Sequence, residues 1–189
     1  MIDGVSWRIL LEDLQQLYAQ LGSDEPAEMP AWTTSYKTWA EYLLRHAATA
    51  PVSAQRAYWE AQFDNVQIDL PRDRIVSDSI QTDSASCRIA FDAETTRRLL
   101  QECGNAYRTR TEELLITALV RVLCQWSRQP SVLIELEGHG REPFDDTEAI
   151  DLTRSIGWLT SLYPLCLHTD ADMDAAIKSV KERLRRVPH

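Results

Sequence analysis

The run Glu137-Gly138-His139-Gly140-Arg141-Glu142 closes a short apolar segment, residues 131–137, whose side chains alternate in character. A strand with a period of two puts Val132, Ile134 and Leu136 on one face and Leu133, Glu135 and Glu137 on the other. Two carboxylates two residues apart on one face feel each other's charge. A like charge and partial burial both raise a carboxyl pKa, toward the range where it serves as a proton-abstracting base. Gly138 and Gly140 flank His139 just past the strand. Glycines there admit backbone angles that other residues resist and let another chain approach closely. Arg141 and Glu142 are placed to brace the turn as a charge-assisted pair. On spacing alone the plainer reading is favoured: a strand ending in an exposed charged turn, with His139 bonded to a backbone carbonyl.

The rest of the chain predicts helices set apart from a few strands, an α+β arrangement. Leu10, Leu14, Leu17, Tyr18 and Leu21 recur at helical spacing over residues 5–21, up to Gly22. Ser35 is expected to cap a helix carrying Tyr36, Trp39 and Leu43, and Ser53 one carrying Tyr58, Trp59 and Phe63. From Asn65 to Asp83 periodicity fades, Pro71 intervenes, and a linker is expected. Alternation at residues 86–91 predicts a strand, and Asp92 a capped helix with Leu99, Leu100 and Cys103. Thr109 and Glu112 stand at capping-box spacing ahead of Leu115, Ala118, Leu119, Val122, Leu123 and Trp126, a stripe expected to be almost fully buried. After the 131–137 strand, a second strand is predicted near residues 162–168. A last helix follows, built on Met173, Ala176, Ile177, Val180 and Leu184.

Composition narrows the partners. A formal charge of −9 gives a nucleic acid little electrostatic support. Asp3 and Arg8 interrupt the first stretch, so it does not read as a signal peptide, and no apolar run approaches the roughly 20 residues that span a bilayer. Cys87, Cys103, Cys124 and Cys166 show no C-x-x-C spacing and sit in apolar patterns. Buried free thiols, no metal site and a cytoplasmic location are expected.

Thirteen residues separate Glu137 from Asp151, which opens the run Asp-Leu-Thr-Arg-Ser-Ile-Gly-Trp-Leu-Thr-Ser-Leu-Tyr-Pro164. Together with Glu-Gly-His-Gly-Arg-Glu it resembles the signature pair of the epimerization domains of nonribosomal peptide synthetases. All six positions of the first motif match. In the second, Asp151, Gly157, Trp158, Thr160, Tyr163 and Pro164 are in place, while Ser155, Ile156, Leu159 and Leu165 replace Thr, Val, Phe and Val. Ile2-Asp3-Gly4 matches the end of the superfamily's His-His-x-x-x-Asp-Gly motif, whose histidines would lie just before Met1. Asp3-Gly4-Val5-Ser6-Trp7-Arg8, Tyr58-Trp59 and Leu70-Pro71-Arg72-Asp73 are similar to the family as well.

This resemblance implies a chloramphenicol-acetyltransferase-like, two-lobed α/β sandwich, of which only the end of the first lobe (1–82, mostly helical, with the linker) and the start of the second (83–189) are present. It implies inversion at Cα of an aminoacyl or peptidyl thioester by acid/base proton transfer. The substrate rides on the phosphopantetheine arm of a peptidyl carrier protein, beside neighbouring synthetase domains; no cofactor is bound by the domain itself. Glu137 takes the catalytic role, Gly138 to Glu142 support the turn, and Asp3 with Gly4 form a structural loop held by an arginine. Trp158 and Tyr163 either line the tunnel or pack in the core. The second motif histidine maps to no residue, so this polypeptide alone is expected to be inactive; with several strands of each lobe's sheet missing, unpaired edges and uncovered apolar faces, it is expected to express poorly or self-associate. The rivals are a condensation domain, which shares the fold but generally lacks the hexapeptide, and a non-catalytic piece that docks a carrier protein.

Overall fold

The computed structural model describes residues 1–23, 26–64, 66, 70–72, 85–142 and 150–188. Its contacts group into two units, Met1–Glu60 with Glu135–Pro164 and Ala61–Ile134 with Leu165–Pro188. The boundary expected between residues 82 and 83, and most of the expected linker, lie outside the described residues.

In the first unit, α1 (Gly4–Gly22) starts where Asp3, in extended conformation, accepts the Ser6 amide. Ser35 caps α2 (Tyr36–Ala47) in the same way, by accepting the Thr38 amide. Trp39 and Tyr42 of α2 stack with ring centroids 5.5 Å apart and pack with Leu152 and Leu159 into a small core. The helix expected after Ser53 is broken instead into α3 (Ala50–Ala54) and α4 (Arg56–Glu60), followed by a 3-10 turn at Ala61–Phe63. Pro51 sits in the first turn of α3, so α3 starts behind Thr49, and the Ser53 hydroxyl donates back to the Thr49 carbonyl at 3.0 Å.

In the second unit, Asp92 caps α5 (Ala93–Gln101), which leads through α6 (Cys103–Tyr107) to α7 (Thr111–Ser127). The capping box falls one residue later than its spacing suggested. Buried Glu113 reaches back to the Arg110 amide at 2.8 Å, while Glu112 turns outward to the Arg110 guanidinium. Val120 and Cys124 of α7 join Val132, Leu165, Leu167, Ala176, Ile177 and Val180 in the core. α8 (Met173–Arg185) packs on α7, and its basic C-terminal residues hold carbonyls: Lys181 that of Tyr107 at 2.5 Å, Arg183 that of Cys166 at 2.8 Å.

β1 (Ser131–Gly138) and β2 (Ser161–His168) form an antiparallel pair, as the 131–137 and 162–168 patterns foresaw. The Thr169 amide meets the Pro130 carbonyl at one end, and Gly138 lies against Ser161 at the other. Residues 86–91, by contrast, form no strand. They are exposed and pair with nothing among the described residues, and alternation without a neighbouring ladder does not make a strand.

Two expected apolar faces are not buried. On α7 the buried positions are Glu113, Thr117, Val120 and Cys124, whereas Leu115, Leu119, Val122 and Trp126 stand about half exposed. On α1 the buried residues are Ser6 and Ile9, and Leu14, Tyr18 and Leu21 face outward. Apolar periodicity marks the side that gains by burial; which side is covered depends on where neighbours pack. Cys124 and Cys166 are buried, which pushes both thiols up, but Cys87 and Cys103 are exposed, in residues 86–91 and in α6, neither of which has a buried residue. Among the described residues no helix is long and apolar enough to cross a membrane.

The contrast between covered and uncovered leucines is measurable. Leu167→Ala, at a fully buried site, should lower stability of residues 1–189 by about 2–5 kcal/mol. Leu119→Ala should change it by less than about 0.5 kcal/mol, both read from urea midpoints.

Candidate active site

Three stretches far apart in sequence meet at Asp3. Its carboxylate accepts the Ser6 amide at 2.8 Å, the Leu159 amide at 3.1 Å, and both terminal nitrogens of Arg141 at 2.8 and 3.1 Å. The Arg141 guanidinium also donates to the His139 and Ser155 carbonyls and to the Ser6 hydroxyl. Ser6, fully buried, closes the circuit: its hydroxyl donates to the Gly157 carbonyl at 2.9 Å and accepts the Gly157 amide at 3.1 Å. Arg141 thus engages Asp3, 138 residues away, through two hydrogen bonds, while adjacent Glu142 lies toward His139.

Burial alone would push the Asp3 carboxyl up. The Arg141 guanidinium and the Ser6 and Leu159 groups outweigh it and hold the carboxyl well below the usual range. Two glycines let the loops close this tightly. Gly140 has φ +64°, and a Cβ there would run into the Leu159 carbonyl. At Gly157 a Cβ would overlap the ring of Tyr36, whose hydroxyl donates to the Trp158 carbonyl at 3.2 Å.

Above this knot lies an open cavity of about 400 Å³. The start of α1 supplies Asp3, Gly4, Val5 and Arg8; the end of β1 supplies Glu137, Gly138 and His139; Thr160 completes the lining. Glu135 and Glu137 share the exposed face of β1, as alternation required. His139 takes the Arg141 amide on Nδ1 at 3.1 Å, which leaves its ring proton on Nε2, 3.5 Å from the Glu142 carboxylate. Trp158 is about half exposed and Tyr163 packs edge-on against Trp59 with centroids 6.1 Å apart; neither lines this cavity. Among the described residues no three His, Cys, Asp or Glu side chains gather as a metal would require.

Sequence reasoning assigned no role to Ser6, Arg8 or Ser155. Asp-x-x-Ser at a helix start is capping spacing and could have revealed Ser6. Gly4 and Arg8, four apart, share one helix face, which could have brought Arg8 to the cavity.

The condensation-domain family matches residues 1–189, and the chain belongs to it. It is 37% identical over 191 residues to tyrocidine synthase 1 of Brevibacillus parabrevis, a match that spans all of this chain and 17% of that protein. It is 36% identical over 191 residues to bacitracin synthase 2 of Bacillus licheniformis, spanning all of this chain and 7% of that protein. The crystal structure of the epimerization domain from the third module of tyrocidine synthetase B superposes with a TM-score of 0.88 at 37% identity, over 99% of this chain and 42% of that one. The first condensation domain of the CDA synthetase shares the fold, with a TM-score of 0.73 at 16% identity over 97% of this chain and 40% of that one. The fold is therefore the α+β, chloramphenicol-acetyltransferase-like fold of condensation and epimerization domains, and the chain spans about two fifths of these solved domains.

Removing one partner of the buried pair strands the other, so Asp3→Asn should lower stability by about 3–5 kcal/mol at pH 7. The folded carboxyl lies below its unfolded value of about 3.9, so its contribution is complete above that pH and fades as pH falls toward the folded value. Urea midpoints taken from pH 7 to pH 2 should accordingly decline less steeply for Asp3→Asn than for the parent chain.

Proposed function

We propose that this chain forms part of a nonribosomal peptide synthetase epimerization domain, with residues 1–82 in its first lobe and residues 83–189 in its second. The domain inverts Cα of an aminoacyl or peptidyl group held as a thioester on the phosphopantetheine of a carrier protein, beside neighbouring synthetase domains. The observation that carries this reading is the placement of Glu137. Its carboxylate ends β1 at a cavity, on the exposed face, with no ion pair or hydrogen bond among the described residues. It also opens the full Glu-Gly-His-Gly-Arg-Glu hexapeptide.

The chemistry suits those surroundings. A thioester acidifies the adjacent C–H, and an unpaired carboxylate at the cavity wall takes that proton without first breaking a salt bridge. The Asp3–Arg141 knot holds the turn after Glu137, so the base meets the substrate in one geometry. In the family a histidine works from the opposite face, at a position that maps to no residue of this chain. Residues 1–189 alone are therefore expected to lack inversion.

A second reading is favoured by the family description itself, condensation domain: such a domain would join two carrier-bound substrates through a peptide bond. One assay separates them, using a longer polypeptide that carries the histidine motif, a carrier-bound aminoacyl thioester and deuterated water. Epimerization predicts inversion and deuterium uptake at Cα, with both lowered about 10²–10⁴-fold by Glu137→Gln. Amide formation with an acceptor thioester, undiminished in Glu137→Gln and without Cα exchange, would establish condensation instead.

A further inference from the structure

We infer that Arg8 is a catalytic residue of this site, holding the negative charge that forms on the thioester oxygen when the Cα proton leaves. The inference rests on the epimerization reading and assigns a function to the wall formed by the start of α1.

Arg8 lies one turn beyond Gly4 on the same face of α1 and lines the cavity that Glu137 also lines. Its guanidinium has no ion pair or hydrogen bond among the described residues. Glu12 is at the i+4 spacing where a helical Arg–Glu pair forms, yet its carboxylate is drawn toward Arg154, at 3.9 Å, as is that of Asp13. A cation left unneutralised beside a cavity, in a chain of net charge −9, is available to an anion that arrives or forms there. The amides of Gly4 and Val5, which begin α1 and have no intrahelical acceptor, add to the same positive wall.

The carboxylate and this positive wall fit the charge movement of enolisation. Glu137 takes the Cα proton, and the C–H electron pair becomes the carbon–carbon double bond. The carbonyl π pair moves to the thioester oxygen, where Arg8 meets it. Reprotonation at Cα returns both pairs, so no oxidant or reductant is consumed. The ground-state carbonyl is neutral and the enolate oxygen is not, so Arg8 acts on the rate more than on binding.

Arg8 is exposed on its helix, and glutamine is as good a helix former, so Arg8→Gln should melt with the parent. Deuterium wash-in at Cα is measured on the longer polypeptide with a carrier-bound aminoacyl thioester. Arg8→Gln should lower kcat about a hundredfold with KM nearly unchanged, and Arg8→Lys should recover part of the loss. An unchanged kcat, or a rise in KM alone as expected if Arg8 grips the phosphate of the carrier arm, would overturn the inference. Glu137→Gln is run alongside. Its loss of exchange with Arg8→Gln unaffected removes only the role of Arg8, full exchange in Glu137→Gln removes Glu137 as the base, and amide formation without any Cα exchange in the parent removes the epimerization reading itself.

Discussion

The Asp3–Arg141 ion pair is the interaction on which the site depends. Its two members are almost entirely removed from water, and such a pair is favourable only when nearly every lone pair and donor finds a partner. Here the surroundings come close to that condition: the Ser6 and Leu159 amides on the carboxylate, the Ser6 hydroxyl and two carbonyls on the terminal nitrogens of the guanidinium, with the buried Arg141 Nε left without a partner. The partners come from three stretches: the start of α1, the turn after β1 and the loop before β2. The pair therefore acts less as a source of stability than as a statement of which three segments must meet. Glu137 gains its position from that meeting.

Charge is distributed to match. The acidic partner of the knot is buried and neutralised, whereas Glu137 and Arg8 beside it stand at a cavity without partners among the described residues. Buried ions that are paired hold shape; unpaired ions at a cavity wall are free for chemistry. His139 belongs between the two groups. Its ring is oriented by the Arg141 amide on one side and Glu142 on the other while its edge lines the cavity.

Local features were legible in the sequence where the physics is local. Ser35 and Asp92 cap the helices that they announce, because a capping bond closes within three residues. The alternation in residues 131–137 placed Glu135 and Glu137 on one face for the same reason. Burial of Leu115, Leu119 and Trp126 was misjudged because α8 covers another side of α7, which no spacing in α7 records. The Arg141–Asp3 pair spans 138 residues, so only likeness to a family could suggest it; spacing pointed to Glu142 instead. Residues 86–91 have the pattern of a strand without a ladder to join among the described residues.

Gly140 has a bearing on how this region tolerates change. Its left-handed backbone and its closeness to the Leu159 carbonyl act as a dowel between the turn after β1 and the approach to β2. With both strands so pinned, a one-residue deletion within residues 131–136 cannot be absorbed by sliding. Glu137, three residues from the pinned Gly140, would keep its place, and the residues ahead of the gap would turn to the opposite face of the pleat. Exchanging one apolar side chain of β1 for another leaves that parity intact. The length of this segment is thus more tightly constrained than its composition.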